Sequence, residues 1–276
     1  MWRESEEYIT YKMNADSSWN LYVPIWWLSH TNTYGNQYNW KVSVDGWTST
    51  TYSWTWSAWW KITLSWYSSW VHTITIEPVS EDYWWALAFW WANTQIGNYL
   101  KEIIHDTYKW YAVSATETWN YFKALQYSSC TWLTSLCNEI LPNTVTTIWD
   151  YYMYQQCNSC TWLIASPQEA LPSSVTSIWS RFRMQQFYWC TSLNEIKWWK
   201  DLSIGWSNYR ANQYNWCTAN KTVKVLSNVW YAAYNIYALD NTYVTSVSVP
   251  SAYLNNFKNA TTRPRVDITD SKFVWY

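Results

Sequence analysis

The feature that most constrains this chain is a register that recurs along its second half. Cys-Thr stands at 130, 160, 190 and 217, at spacings of 30, 30 and 27 residues. Gln lies four residues before each Cys (Gln126, Gln156, Gln186, Gln213), and an aromatic lies eight before (Phe122, Tyr152, Phe182, Tyr209). Residues 130–159 and 160–189 agree at 13 of 30 positions, too many for chance. A short unit reused at fixed spacing cannot bury its apolar face alone, so its copies must stack on one another.

Each unit reads as one strand and one short helical segment. The aromatic, Gln and Cys at i, i+4 and i+8 share one face of a helix, which predicts a short helix or 3₁₀ segment over residues such as 120–130. Leu141-Pro142 and Leu171-Pro172 then lead into Thr144-Val145-Thr146-Thr147-Ile148 and Ser174-Val175-Thr176-Ser177-Ile178. These alternate as strands with Val and Ile inward. The expected product is a solenoid of stacked rungs in which Cys130, Cys160, Cys190 and Cys217 form a buried ladder of thiols.

Tryptophan disturbs this register in a particular way. The chain has 29 Trp and only 4 Gly in 276 residues, whereas Gly ordinarily contributes ~7%. One residue before the Cys the series is Ser129, Ser159, Trp189, Trp216; two after it is Trp132, Trp162, Ser192, Ala219. Eleven before it stand Trp119, Trp149 and Trp179; the fourth unit, one residue longer at this point, offers Ile204-Gly205 opposite Ile148-Trp149 and Ile178-Trp179. Trp thus exchanges with the smallest residues, a volume change that no packed site accepts. Elsewhere it sits in turn-like settings such as Ser18-Trp19-Asn20, Gly46-Trp47-Thr48 and Ser69-Trp70-Val71, where Gly normally supplies positive φ. The expectation is that many of these Trp are UGA codons of a lineage with an alternative genetic code that reads them as glycine. Exposed indoles are then expected at the turns, notably at 149 and 179, while Trp40 and one of Trp84 and Trp85 are expected to be genuine.

The units at about 119–250 resemble the BspA-type leucine-rich repeat proteins of bacterial surfaces. The resemblance rests on Phe182 to Cys190 to Leu193, and on Leu171-Pro172-Ser173-Ser174-Val175-Thr176-Ser177-Ile178-Trp179, where the family has Gly at the last position. The 30-residue spacing exceeds the family's usual twenty-odd, and the fourth unit is degenerate. The resemblance implies a cell-surface or secreted protein, non-catalytic, that recognises or adheres to a protein or glycan through its stacked strands.

The first 83 residues differ in kind. Tyr8–Met13, Leu21–Ile25, Trp40–Val44, Lys61–Leu64 and Val71–Ile76 are short, alternating and bounded by turn residues, as in a small antiparallel β-sandwich. Val42-Ser43-Val44-Asp45-Gly46 with Val71 to Ile76 loosely resembles the core of PKD-like or other immunoglobulin-like surface domains. Residues 84–118 read as a transition and cap for the repeats, with a helix or turn at Ala86–Ala92 and a strand at Leu100–Ile104. Val229-Trp230-Tyr231 and Thr245–Pro250 read as a worn last rung, and 251–276 as a C-terminal cap or tail. The fold class is therefore β-rich: a sandwich at 1–83 followed by a leucine-rich-type solenoid at 119–250.

Chemistry is sparse. A net charge of −1 with 13% charged residues gives no electrostatic footprint for nucleic acid or anionic membrane. No run approaches the ~20 apolar residues of a membrane span. The charged start Met1–Glu7 lacks the apolar core of a signal peptide, which fits either a cytoplasmic protein or a natural start farther upstream. None of His30, His72 and His105 stands beside a Ser or Cys with an orienting carboxylate in sequence, and His105-Asp106 reads as a turn. Cys157-x-x-Cys160 lacks a second ligand pair, since Cys137 alone does not supply one, so no metal is expected. Glu139 and Glu169 are equivalent, with Glu195 near that register, and read as a solvated rim rather than an acid–base pair. No phosphate-loop, dinucleotide or zinc-protease motif occurs, even with Trp read as Gly. The reading is no enzyme, no catalytic residue, no cofactor and no metal, with the ligand-binding residues unknown. Two alternatives stand beside it: a carbohydrate-binding module using Trp54, Trp56, Trp59, Trp60, Trp66 and Trp70, or an accessory domain of a larger secreted enzyme.

Overall fold

The computed structural model describes residues 9–27, 37–55, 60–78, 85–87, 94–106, 117–118, 123–141, 143–167, 169–198, 210–219, 221–225, 244–253, 255 and 270–275. They form a β-rich fold with a single four-residue α-helix among them.

The first eight strands build two antiparallel sheets. They are β1 (Ile9–Asn14), β2 (Asn20–Trp27), β3 (Gln37–Val44), β4 (Thr50–Thr55), β5 (Trp60–Ser65), β6 (Val71–Pro78), β7 (Trp85–Leu87) and β8 (Leu100–Asp106). One sheet runs β4-β3-β6-β1-β8 and the other β5-β2-β7. The alternation in the sequence sets which side chains are buried. Ile9, Tyr11 and Met13 of β1, Val42 and Val44 of β3, and Ile74 and Ile76 of β6 are buried with Leu21 and Val23 of β2. Trp40 is 1% exposed, so the indole expected to be genuine is a core residue. Tyr11 donates its hydroxyl to the Tyr22 carbonyl at 2.6 Å, which ties the two sheets.

Two expectations for residues 84–118 are corrected. Part of the helix or turn placed at Ala86–Ala92 is the strand β7, paired with β2; the helix α1 lies later, at Thr94–Gly97. His105-Asp106 is not a turn either: both residues continue β8 and pair with Thr10 and Ile9.

From residue 117 the pairing becomes parallel and joins equivalent positions of successive units. β9 (Glu139–Ile140) pairs with β11 (Glu169–Ala170), and β10 (Thr147–Ile148) with β12 (Ser177–Ile178). Farther on, β13 (Glu195–Trp198), β14 (Lys221–Val225), β15 (Val244–Val249) and β16 (Phe273–Trp275) run side by side, all parallel.

The segments expected to be helical or 3₁₀ are neither, among the described residues. In residues 151–160 the amides of Tyr154, Gln156, Asn158 and Cys160 each return to the carbonyl three residues back. The amides of Tyr151, Gln155, Cys157 and Ser159 instead donate to the next unit, at Ser180, Met184, Gln186 and Tyr188. Tyr151, Met153, Gln155 and Ser159 have φ of 62°, 53°, 50° and 63°. Left-handed residues at such intervals break the i→i−4 ladder of a helix. The result is a ribbon of overlapping turns whose burial repeats every four residues: Tyr152-Met153, Gln156-Cys157, then Cys160. An i, i+4, i+8 pattern fits this period of four as well as it fits 3.6, hence the misreading.

Candidate functional site

The repeat register becomes, in three dimensions, a set of columns running through the stack. Gln156 donates its amide to the side-chain oxygen of Gln126 at 3.2 Å, Gln186 to Gln156 at 2.9 Å, and Gln213 to Gln186 at 2.7 Å. All four are buried. An amide carries both donor and acceptor, so a column of Gln satisfies itself where a column of ionised Asp, which only accepts, would not.

The thiols make a second column. Cys160 donates to the Tyr127 carbonyl at 3.0 Å, Cys190 to Cys157 at 3.0 Å, and Cys217 to Phe187 at 3.1 Å. Burial pushes the thiols of Cys130 and Cys157 well up, with neighbouring thiols adding to it. No cysteine is in a disulfide, and Cys137 alone is not buried. Among the described residues no three His, Cys, Asp or Glu side chains are grouped to hold a metal.

Aromatic rings fill further columns. Tyr152 stacks on Phe182, and Phe187 on Tyr214, each with ring centres 5.3 Å apart. Beside them Lys123, Met153, Arg183 and Arg210 share one position, all buried and all left-handed. Arg183 lies over the Phe182 ring at 4.8 Å. Sequence reading missed this cationic column because the residue type varies between units.

It also missed a unit. Gly97-Asn98-Tyr99-Leu100 underlies Cys130-Thr131-Trp132-Leu133: Thr131 donates to the Asn98 side chain at 3.0 Å, and Thr134 N donates to the Lys101 carbonyl at 2.8 Å. A Cβ at Gly97 would stand 2.9 Å from the Cys130 sulfur. Gly is required there by the first thiol of the column. The shared Leu and the Glu102-Ile103 pair, matching Glu195-Ile196, were the available signal.

The tryptophans divide by backbone. Trp189 and Trp216 have φ of 60°, matching 62° and 63° at Ser129 and Ser159 in the same column; Trp19 and Trp66 have 65° and 75°. All four indoles are exposed. Trp149 and Trp179 lack positive φ; they stack on each other at 4.6 Å, with Trp179 exposed and Trp149 half-buried. Trp149 also donates its ring N–H to Glu117 at 3.1 Å. Trp132 stacks on Trp162 at 5.1 Å, with the Lys101 ammonium 3.9 Å from the Trp132 ring centre. Of the proposed sugar-stacking set, Trp66 and Trp70 are exposed between β5 and β6. Trp56 and Trp59 lie outside the described residues, as do Trp84, Trp119, Phe122, Gly205, Tyr209, Trp230 and His30.

The acidic rim is partly redrawn. Glu139 and Glu169 pair directly across β9 and β11. Glu195, expected near that register, instead bridges Ala165 and pairs with Thr222.

His72, read from its alternating strand as a surface or satisfied histidine, is buried and hydrogen-bonded, and the fold brings to it a Ser and a carboxylate that the sequence separates. His72 Nδ1 lies 2.6 Å from Asp45 Oδ2, and its Nε2 lies 3.2 Å from Ser68 Oγ. Ser, His and Asp in that order are the connectivity of an activated nucleophile. Yet the same Nε2 lies 3.1 Å from the Ser68 carbonyl, an acceptor, and Asp45 Oδ1 accepts the Thr73 amide at 2.8 Å. The Ser68 carbonyl thus competes with the Ser68 hydroxyl for the same ring nitrogen. The array clasps the turn after β3 to the loop before β6.

A comparison with family models, curated proteins and solved structures finds no match to this chain. Among the described residues no helix is long and apolar enough to cross a membrane.

Proposed function

We propose that this chain is a non-catalytic recognition module of a bacterial cell surface, a BspA-like leucine-rich-type solenoid behind an immunoglobulin-like sandwich. The observation that carries it is the in-register stacking of equivalent residues, Thr147 on Ser177 and Glu139 on Glu169, about a self-satisfied interior of Gln, Cys and aromatic columns. Such an interior supports a scaffold, and the outward residues are left for contact with a partner. Thr146 and Thr176 are exposed beside the half-buried Thr147 and Ser177, giving a neutral hydroxyl-bearing strip. It suits a protein or glycan ligand met by extended contact.

In this reading Trp19, Trp66, Trp189 and Trp216 are glycines in the natural protein, since an exposed indole gains nothing from a left-handed backbone. The coding DNA tests it: UGA at these codons is expected, and UGG overturns it. For the function, cells displaying the chain are expected to adhere to host-derived matrix, with the soluble chain competing. Thr146→Lys with Thr176→Lys should abolish adhesion at unchanged thermal stability. Adhesion indifferent to that pair would overturn the solenoid face as the contact surface. Labelling of Ser68 by a fluorophosphonate would overturn the non-catalytic reading.

The stacked Trp132 and Trp162 favour a second reading, a carbohydrate-binding module. Saturable quenching of Trp fluorescence by a soluble polysaccharide, lost in Trp162→Ala, would select it.

A further inference from the structure

Beside the Asp45–His72 clasp lies a cavity of about 360 Å³, whose walls include Trp47, Thr48, Thr50, Tyr52 and Tyr67. Its volume falls in the range of small-ligand sites. Val42, Val44 and Leu64 are buried beneath it. Tyr67 is set edge-on against His72, ring centres 5.3 Å apart, and Tyr52 is half-buried. Thr48 and Thr50 are exposed at its mouth.

We propose that this cavity binds a single neutral saccharide unit. A pyranose ring has an apolar C–H face and a rim of hydroxyls that both donate and accept. The cavity offers the complement: aromatic surface from Tyr52, Tyr67 and Trp47, and hydroxyl or carboxylate oxygens from Thr48, Thr50 and Asp45. Asp45 is fixed in place before any ligand arrives, by His72 at one oxygen and the Thr73 amide at the other. Each carboxylate oxygen keeps a further lone pair for a ligand hydroxyl. That preorganisation lowers the ordering cost of binding.

The same chemistry excludes other ligands. Among the described residues neither Lys nor Arg lines the cavity, so an anion would face the Asp45 carboxylate with only His72, already paired to it, close by. A cation would have to compete with His72 for the same carboxylate. Trp47 stands in one of the turns where the sequence suggests glycine, but the left-handed residues there are Asp45 and Gly46 (φ 53° and 74°), so its backbone does not require one. The cavity belongs to the sandwich and does not depend on the repeat face.

The test is titration of the whole chain with methyl β-glucoside, methyl α-mannoside, methyl β-galactoside and N-acetylglucosamine, followed by fluorescence and by NMR of the sugar. At least one is expected to bind saturably. Thr50→Val and Tyr67→Ala should each weaken it about tenfold or more, while Ser173→Ala, at an exposed position of the repeats, leaves it unchanged. Thr50 is exposed, so its variant keeps the test sound if Tyr67→Ala unfolds. No saturable binding, binding indifferent to Thr50→Val, or binding of tetramethylammonium in place of the sugars would each overturn the assignment. Loss of adhesion in the Thr146 and Thr176 pair with sugar binding intact would separate this site from the repeat surface.

Discussion

At the scale of single residues, the backbone separates tryptophans that composition lumps together. A non-glycine residue in the left-handed region costs roughly 1–2 kcal/mol. Trp19→Gly, Trp66→Gly, Trp189→Gly and Trp216→Gly are therefore each expected to raise stability, by about 1 kcal/mol in urea unfolding, although each deletes the largest side chain. Trp40→Gly should do the reverse and cost about 3–5 kcal/mol, because that indole is in the core. Equal losses in all five would show that the exposed indoles are packed partners. The substitution pattern at the column before Cys made the difference between Trp40 and Trp189 legible, because Ser129 and Ser159 stand where Trp189 and Trp216 do. Trp149 and Trp179 were not separable in that way, since their stacking on each other is a property of the rung spacing. Gly97 is the converse case: Gly97→Ala drives a methyl to 2.9 Å from the Cys130 sulfur, and should cost about 1–3 kcal/mol.

At the scale of elements, two structures carry their own tests. In the repeats, Gln186 accepts from Gln213 and donates to Gln156. Gln186→Leu fills the same space but takes a hydrogen-bonding partner from each neighbour. It is expected to destabilise by roughly 1–3 kcal/mol for each buried amide group left unpaired, read from the shift of the denaturant midpoint. The spacing of these Gln was plain in the sequence; the turn ribbon that presents them was not, because a period of four and one of 3.6 diverge little over nine residues. In the turn that joins β1 to β2, Asp16 accepts from the Tyr22 hydroxyl and from the amides of Ser18 and Asn20. Burial opposes the Asp16 charge, yet these bonds together hold its carboxyl below the ordinary 3.8. The Tyr22 phenol is pushed up to about 12, by burial first and Asp16 next. A phenol that ionises later in the folded than in the unfolded chain contributes stability below pH 10, lost as pH rises toward 12. The Asp16 contribution is present above its ordinary value and is lost as pH falls through its lowered one. Tyr22→Phe should flatten the alkaline limb of a melting-temperature profile, and Asp16→Asn the acid limb.

At the scale of the whole molecule, the antiparallel pairing of the first strands and the parallel pairing after residue 117 follow two patterns in the sequence, but the junction between them follows neither. Alternation in β1, β3 and β6 announces an antiparallel sheet, and the Cys register announces a stack; nothing local says that β8 belongs to both. Its one edge pairs antiparallel with β1, and its other meets the repeats, where Glu102 bridges Ser135 and Ile103 N donates to the Ser135 carbonyl. The buried apolar residues form one cluster from Ile9 through the Cys column to Phe273. A strand shared in this way couples the stability of the two parts, as a common rung does in a repeat array. Ile103, buried on β8, is the residue that tests the coupling. Ile103→Ala should cost about 2–5 kcal/mol and lower the sandwich and the repeats together, since neither keeps its partner if β8 is lost. Two probes follow the two parts separately: ionisation-independent Tyr11 and Tyr22 hydroxyl protection for the sandwich, and access of a thiol reagent to the buried Cys column for the repeats. Coincident transitions in both the parent and the variant are the expected result. A variant in which the thiols open while the sandwich stays protected would mean that β8 is only a contact between two independently folded parts.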